Sequence, residues 1–507
     1  MIPNRVRSFL YSYPFWIFFL VALMAYLPIL VPYFSLKNDL INQNLPTRFV
    51  FSEAIRSGHE PFWNPFLNFG TPQYGDMNNG FWNPFQWIIG YLFGYSIYTI
   101  SIEEFIYIIL GGWGIYKLSK EFVSREIALL TGIAYMLCGY IVGHLQYLCW
   151  ITGTAFFPFV LLYFLRTHRT GSLSQLAKFT LAIFLFLASS HPGLVIGGLY
   201  FFLFLVLFLF STRKDLSRSF FRAGFWKINL IMVLCSVLAG WVVLTSYAEV
   251  LTYISRGTKL SLADAMLHPT TLSSYVSLIF PLTVNRWELM NSDIGMRNSF
   301  IGLLHLLGGG YFFIYYGRKR LLHVLPGLLF FLMLASGGWF KYLAWKFLPL
   351  LGYVRLNGEF RYFALLIMLG IGAAGLDRML AEKTKATELQ KKFRFIILTI
   401  LIVAIAISGS CLLINNTTFH YSSTNNGIKI QLKEILDQIS WAHLLLFQAI
   451  LLLILLMVSW KQGLKNTIAT MVAYSIISTV LALPFTGIGI TSKKEIQAVI
   501  EKFRSEE

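Results

Sequence analysis

Residues 391–414, KKFRFIILTILIVAIAISGSCLLI, begin with three basic side chains in four positions and continue for twenty positions without a charge. A helix rises about 1.5 Å per residue, so twenty apolar residues reach across a hydrocarbon layer of about 30 Å. A helix apolar all round for that length is a membrane span, and the basic lead marks a cytoplasmic entry. Outward from this stretch, twelve more runs of the same kind lie near residues 14–34, 97–118, 126–143, 147–165, 175–191, 193–211, 227–247, 298–316, 321–336, 360–377, 441–459 and 467–485. The pattern predicts an all-α polytopic membrane protein, a helical bundle of about 13 transmembrane helices with its N-terminus inside.

Composition agrees. Of 507 residues 56% are apolar and 13% charged, against about 25% charged in a soluble domain. The first run follows Arg5 and Arg7 but has no small-residue cleavage site, which predicts an uncleaved first helix. The short pair flanking His191-Pro192 would also serve as a re-entrant hairpin. Every downstream segment then keeps its side, because two crossings are lost together.

A net charge of +18 could indicate nucleic-acid binding. With the spans drawn, the inner loops carry 24 Lys and Arg against 6 acids, and the outer segments carry 17 against 17. The whole excess is cytoplasmic, which is the positive-inside rule with anionic membrane lipids as counter-charge, so no nucleic acid is expected as a partner. Cys138, Cys149, Cys235 and Cys411 lie in or beside apolar runs with no metal-ligand or CxxC spacing, and read as buried free thiols.

The bundle occupies 1–485, with outer loops 35–96, 248–297, 337–359 and 415–440, and a short tail, 486–507, that reads as an amphipathic helix from Lys493 to Phe503. Loop 35–96 carries the most information. Pro46 can open a surface helix in which Phe49, Val50, Ala54 and Ile55 form an apolar stripe opposite Arg48, Glu53 and Arg56. Turn-forming Asn, Gly and Pro alternate with Trp and Phe beyond it, so the loop is structured rather than slack.

Asp39 stands just past the first span. A solvated loop acid is the bland reading. The sharper one is a general base for an acceptor hydroxyl, its pKa raised by partial burial beside aromatics. Asp76, Glu103 and Glu104 are the competing acids.

An acid after the first helix, then a surface helix, then EPFWNPFLNFGTP at 60–72 resembles the YfhO family of bacterial membrane proteins, placed in the GT-C superfamily of glycosyltransferases. SSHPG at 189–193, SYAEVLTYISRG at 246–257, SFIGLLHLLGG at 299–309 and GEFRYFALLIMLGIGAAGLDR at 358–378 follow in the same order. The resemblance implies a GT-C-like bundle in the bacterial inner membrane. It also implies transfer of a polyprenyl-phosphate-linked sugar to an envelope glycan, glycolipid or protein acceptor on the extracytoplasmic face, with Asp39 as the catalytic residue. Family members often continue into a large extracytoplasmic domain, whereas this sequence stops at Glu507, so that domain's role is expected to be missing or supplied by a partner. There is no Asp-x-Asp pair, although Asp39 with Asp76 would offer oxygen ligands to Mg or Mn.

A lipid phosphate needs a cation at the outer surface, and Arg offers a planar fork of donors. Arg256 and Arg361 fall in the recognised motifs, with Arg48, Arg297 and Arg355 ranked second. Each also has a bland reading as a snorkelling chain or a loop-closing ion pair. His191 reads as a helix cap, or as a partner of the donor phosphate or of Asp39. Glu249 either pairs with Arg256 or lines the site. Glu103 and Glu104, at the mouth of a span, must face protein or a cavity. Among Trp63, Trp82 and Trp150, interface anchoring accounts for most, leaving one to touch a sugar. Two other functions compete. A transporter or flippase of lipid-linked sugars predicts mid-membrane ionisable groups and related halves, but the mid-span polar residues are mostly Gly, Ser and Thr. A non-catalytic envelope-assembly scaffold would make Asp39 incidental.

Overall fold

The computed structural model describes residues 13–67, 69–212, 223–251, 258–286, 290, 292–315, 318–414, 434–459, 464–489 and 491–506. Each of the thirteen apolar runs coincides with a helix: α1 (Phe15–Leu30), α4 (Ile97–Ser119), α5 (Arg125–Met136) continued after a break by α6 (Gly139–Gly143), α7 (Leu148–Thr170), α8 (Leu173–Ser189), α9 (Pro192–Thr212), α10 (Ala223–Val250), α11 (Leu303–Tyr315), α12 (Arg318–Ser336), α14 (Arg361–Ala381), α15 (Lys383–Ile414), α16 (Trp441–Ser459) and α17 (Leu464–Thr486). Among the described residues eight helices are long and apolar enough to cross a membrane alone. α1, α8 and α11 are shorter and apolar. The protein is a multi-pass membrane protein.

α12 turns by 99° into α13 (Gly338–Phe347). The chain makes this bend at Gly337 and Gly338, both with positive φ, a backbone state that costs glycine little. Close helix packing relies on small residues, as is common in membrane bundles. A β-carbon on Gly375 would lie 1.8 Å from the Gly308 carbonyl oxygen, so α11 and α14 touch backbone to backbone.

The end of the bundle beyond Leu30 is termed the outer rim, following the charge reading. There the first loop is folded. A wide turn, Leu40–Asn44, leads into α2 (Leu45–Arg56). A two-residue hairpin follows, β1 (Trp63–Asn64) with β2 (Thr71–Pro72), and then α3 (Pro84–Phe93). Asn83 caps α3 by accepting from the Phe85 N–H at 3.0 Å, and Pro84 takes the first helical position, where its missing N–H is harmless. The surface helix thus exists, but its orientation differs from the expected stripe. Arg48, Phe51 and Ser52 are buried, while Phe49, Val50, Ala54 and Ile55 are only half-buried. Phe51 packs edge-on against Phe81 and Trp87, and Arg48 turns inward because an acid awaits it there. The tail forms α18 (Lys493–Glu506), and just before it Ile488 pairs with Leu36 in an isolated antiparallel bridge.

Candidate functional site

Past α1 the chain reads Lys37-Asn38-Asp39. Asn38 adopts a positive φ of 52°, a conformation Asn tolerates better than most residues. In it the Asn38 amide donates to the Gln146 side-chain oxygen. Lys37 donates to the carbonyls of Phe485 at 2.5 Å and Pro484 at 3.5 Å. Held from both sides, Asp39 stays half-buried. Burial lifts its carboxyl above the ordinary 3.8, the charge of Asp293 lifts it further, and Arg355 opposes the rise. Desolvation and a like charge both favour the neutral acid, which makes the group a better base once it is ionised.

Asp293 went unnoticed in the sequence. Its Oδ1 accepts from the Gly295 N–H at 2.8 Å, its Oδ2 accepts from the Tyr147 hydroxyl at 3.0 Å, and its own N–H donates to His268 Nδ1 at 3.0 Å. Arg355 is half-buried, with its Nε lacking a protein partner.

A second set of polar groups adjoins this one through Gly295. Arg361 is fully buried and donates to the Gly295 carbonyl at 2.8 Å and to Thr270 Oγ1 at 3.3 Å, with its guanidinium 5.4 Å from the Tyr140 ring centroid. His191 Nδ1 lies 3.1 Å from Glu359 Oε1, and the imidazole stacks on Trp150 at 4.3 Å. Tyr140 stacks on His144 at 4.0 Å, and Tyr147 meets Trp150 edge-on at 4.6 Å. Tyr140 Oη, His144 Nε2, Trp150 Nε1 and Arg361 Nε are buried without a protein hydrogen-bond partner. An orphaned buried polar atom costs about 1–3 kcal/mol, and these four lie close enough together to be satisfied by one polar ligand or by water.

The remaining candidates have other duties. Arg48 pairs with Glu103 at 2.5 Å, each side chain 2% exposed, and Tyr95 bonds both. Glu104 is buried near Lys493, whose ammonium bonds the Ile29 carbonyl and is brought down to about 8, chiefly by burial and against the charge of Glu104. Asp76 accepts with one oxygen from the Asn78 N–H and with the other from the Asn79 amide. Those bonds commit the proposed partner of Asp39 in cation binding to its own turn. Among the described residues no group of three or more His, Cys, Asp or Glu is placed to hold a metal. Trp63 is 55% exposed and lays its ring against Gly70 in the hairpin. Trp82 donates to Tyr74 O and Ser246 Oγ, fastening the loop to α10. Arg297 bonds the Ser292 carbonyl. Glu249 is exposed on the last turn of α10, and Arg256 lies outside the described residues.

Of the residues grouped here, the sequence reading named Asp39, Arg361, His191 and Trp150 as candidates and did not name Asp293, Tyr147, His144 or Glu359. The available signal was HLQY at 144–147, a polar and aromatic interruption between two apolar helices.

No family model matches the chain, and no curated protein is similar to it. Solved structures do match. Apo ArnT from Cupriavidus metallidurans aligns with a TM-score of 0.50 at 13% identity, over 93% of this chain and 77% of that one. ArnT from the same organism bound to undecaprenyl phosphate gives 0.51 at 14%, over 92% and 76%. The chain shares its overall fold with ArnT. At this identity the likeness concerns how the helices are arranged.

Proposed function

We propose that this protein is a GT-C-type membrane glycosyltransferase that takes its sugar from a polyprenyl-phosphate donor, with Asp39 as general base. The acceptor is an envelope glycan, glycolipid or protein at the extracytoplasmic face of the bacterial inner membrane, and the order of the sequence motifs supports kinship with the YfhO family. The observation that carries the reading is the setting of Asp39. It is a half-buried carboxyl in the loop that follows the first helix, with its proton affinity raised, an arginine within electrostatic reach and a cluster of orphaned polar groups one loop away. The likeness to a fold that holds undecaprenyl phosphate in ArnT adds weight.

In this scheme the acceptor hydroxyl oxygen attacks the anomeric carbon while Asp39 takes its proton. The bond from that carbon to the phosphate oxygen breaks, the electron pair leaves on the lipid phosphate, and the anomeric configuration inverts. Phosphate is a capable leaving group, so placement and charge stabilisation supply most of the rate. Arg355 is better suited to meet the departing charge than Arg361, which is fully buried and already gives one donor to Thr270 and one to Gly295. Arg361 instead fixes the floor on which the orphaned groups stand.

The test uses protein in nanodiscs, undecaprenyl-phosphate sugars with a radiolabelled sugar, and envelope fractions as acceptors. Transfer by the unaltered protein and its loss in Asp39→Asn at equal protein level is the expected result. Full-rate transfer by Asp39→Asn would move the base elsewhere.

A further inference from the structure

The segment that follows the last bundle helix makes contacts that the chemistry above leaves unexplained. Ser35 N–H donates to the Thr491 carbonyl at 2.7 Å, and Gly489 N–H donates to the Ser35 carbonyl at 2.9 Å. Between them Leu36 pairs with Ile488, both buried. One residue on, the Lys37 ammonium sits over the carbonyls of Pro484 and Phe485. These belong to the final turn of α17, whose carbonyls lack helical partners and attract a cation. The Lys493 backbone closes the arrangement by donating to the Pro32 carbonyl at 3.0 Å.

Two glycines show how tightly this segment fits. A β-carbon on Gly489 would stand 3.0 Å from Ser35 Oγ and 3.4 Å from the Leu36 carbonyl oxygen. One on Gly487 would stand 3.0 Å from the Leu145 β-carbon. Leu145 belongs to the 144–147 loop, whose next two residues hold Asn38 and Asp293. The turn at 487–489 is therefore wedged between the two loops that carry the candidate site, with backbone against one and a side chain against the other.

We propose that residues 484–489 and 491–493 form a strut that sets the position of Asp39 relative to the 144–147 loop, with Lys37 as its positioning residue. This rests on the transferase reading above. Lys37 does not touch substrate. Its ammonium fixes the strand from Ser35 to Asn38, and Asp39 is carried on the end of that strand. A base displaced by about 1 Å can lose on the order of a hundredfold in rate, so the strut acts on turnover and leaves lipid binding alone.

Two kinds of measurement test it. The first is geometric and needs no activity. With the four native cysteines replaced, Leu36→Cys with Ile488→Cys is expected to form a disulfide under mild copper-phenanthroline oxidation in nanodiscs. Absence of that cross-link overturns the strut. The second is kinetic. Lys37→Met and Gly489→Val are each expected to lower kcat about tenfold or more, with KM for the undecaprenyl-phosphate sugar unchanged within about twofold. Lys37→Arg, which keeps a cation over the two carbonyls, is expected to recover most of the loss. If Lys37→Met keeps full kcat while Asp39→Asn abolishes it, the positioning role is wrong. If Asp39→Asn itself transfers at full rate, the transferase reading falls. The strut is then judged by the cross-link and by hydrogen exchange at residues 36–42, which Lys37→Met should accelerate and which an unchanged rate would refute.

Discussion

Asn38 and Gln146 join side chain to side chain across 108 positions of sequence, and the next residue after each is a member of the candidate site, Asp39 on one side and Tyr147 on the other. This single bond sets two loops in register. Tyr147 then reaches Asp293, whose charge is felt at Asp39, so base, second carboxylate and hydroxyl form one unit.

The pH dependence of turnover should report that unit. Asp39 must be ionised to act as base, so activity falls as pH drops through its raised pKa, and the acid limb lies above the ordinary carboxylate value of 3.8. Removing the like charge with Asp293→Asn should move the limb to lower pH. Arg355→Met should move it to higher pH. A limb that shifts the same way in both variants contradicts the assignment.

The two arginines should separate in kinetics and stability. Arg355→Met is expected to lower kcat and raise KM for the lipid donor without changing the melting temperature in detergent. Arg361→Met should instead lower the melting temperature, because the Gly295 carbonyl loses its buried donor at a cost of about 1–3 kcal/mol. The reverse pattern would make Arg361 the phosphate ligand.

Arg48 and Glu103 form a closed pair, each 2% exposed. Removing one partner strands the other charge, at a cost of about 3–5 kcal/mol, while replacing both with apolar residues is far milder. Arg48→Met and Glu103→Leu should each reduce folded yield sharply, and the double variant should recover it. Additive losses in a thermal-shift assay would argue against mutual dependence.

Gly375→Ala places a methyl group 1.8 Å from the Gly308 carbonyl oxygen, where only backbone movement can accommodate it. Loss of folded protein is expected. Gly370→Ala on the same helix meets nothing within 4 Å and should be neutral. Equal behaviour in size-exclusion profiles would mean that α11 and α14 are not in backbone contact.

The architecture was legible because a membrane span announces itself locally: twenty apolar residues and a basic flank suffice, as in 391–414. The folded first loop was legible in part: Pro46 announced the surface helix, whereas Asn83 and Pro84 read only as a turn and in the structure open α3. What escaped the sequence depended on distant partners. Arg48 belongs to the polar face of α2 by periodicity, and only the acid at 103 explains why it points inward. Arg361 has the chemistry of a phosphate ligand, yet it is fully buried and bonded to Thr270 and Gly295. Asp293 and Tyr147 sit in stretches with no periodic signal, and their importance arises when the fold brings them to Asp39.

The contact between Lys37 and Phe485, 448 positions apart, also bears on how the molecule is made. The first hairpin of helices leaves the ribosome and enters the bilayer long before the last one has been synthesised. During that interval the residues around Asp39 have no final carbonyls to grip and no Ile488 to pair with. A nascent chain inserted helix by helix therefore holds the loop before Asp39 without this support until residues 484–489 have joined it.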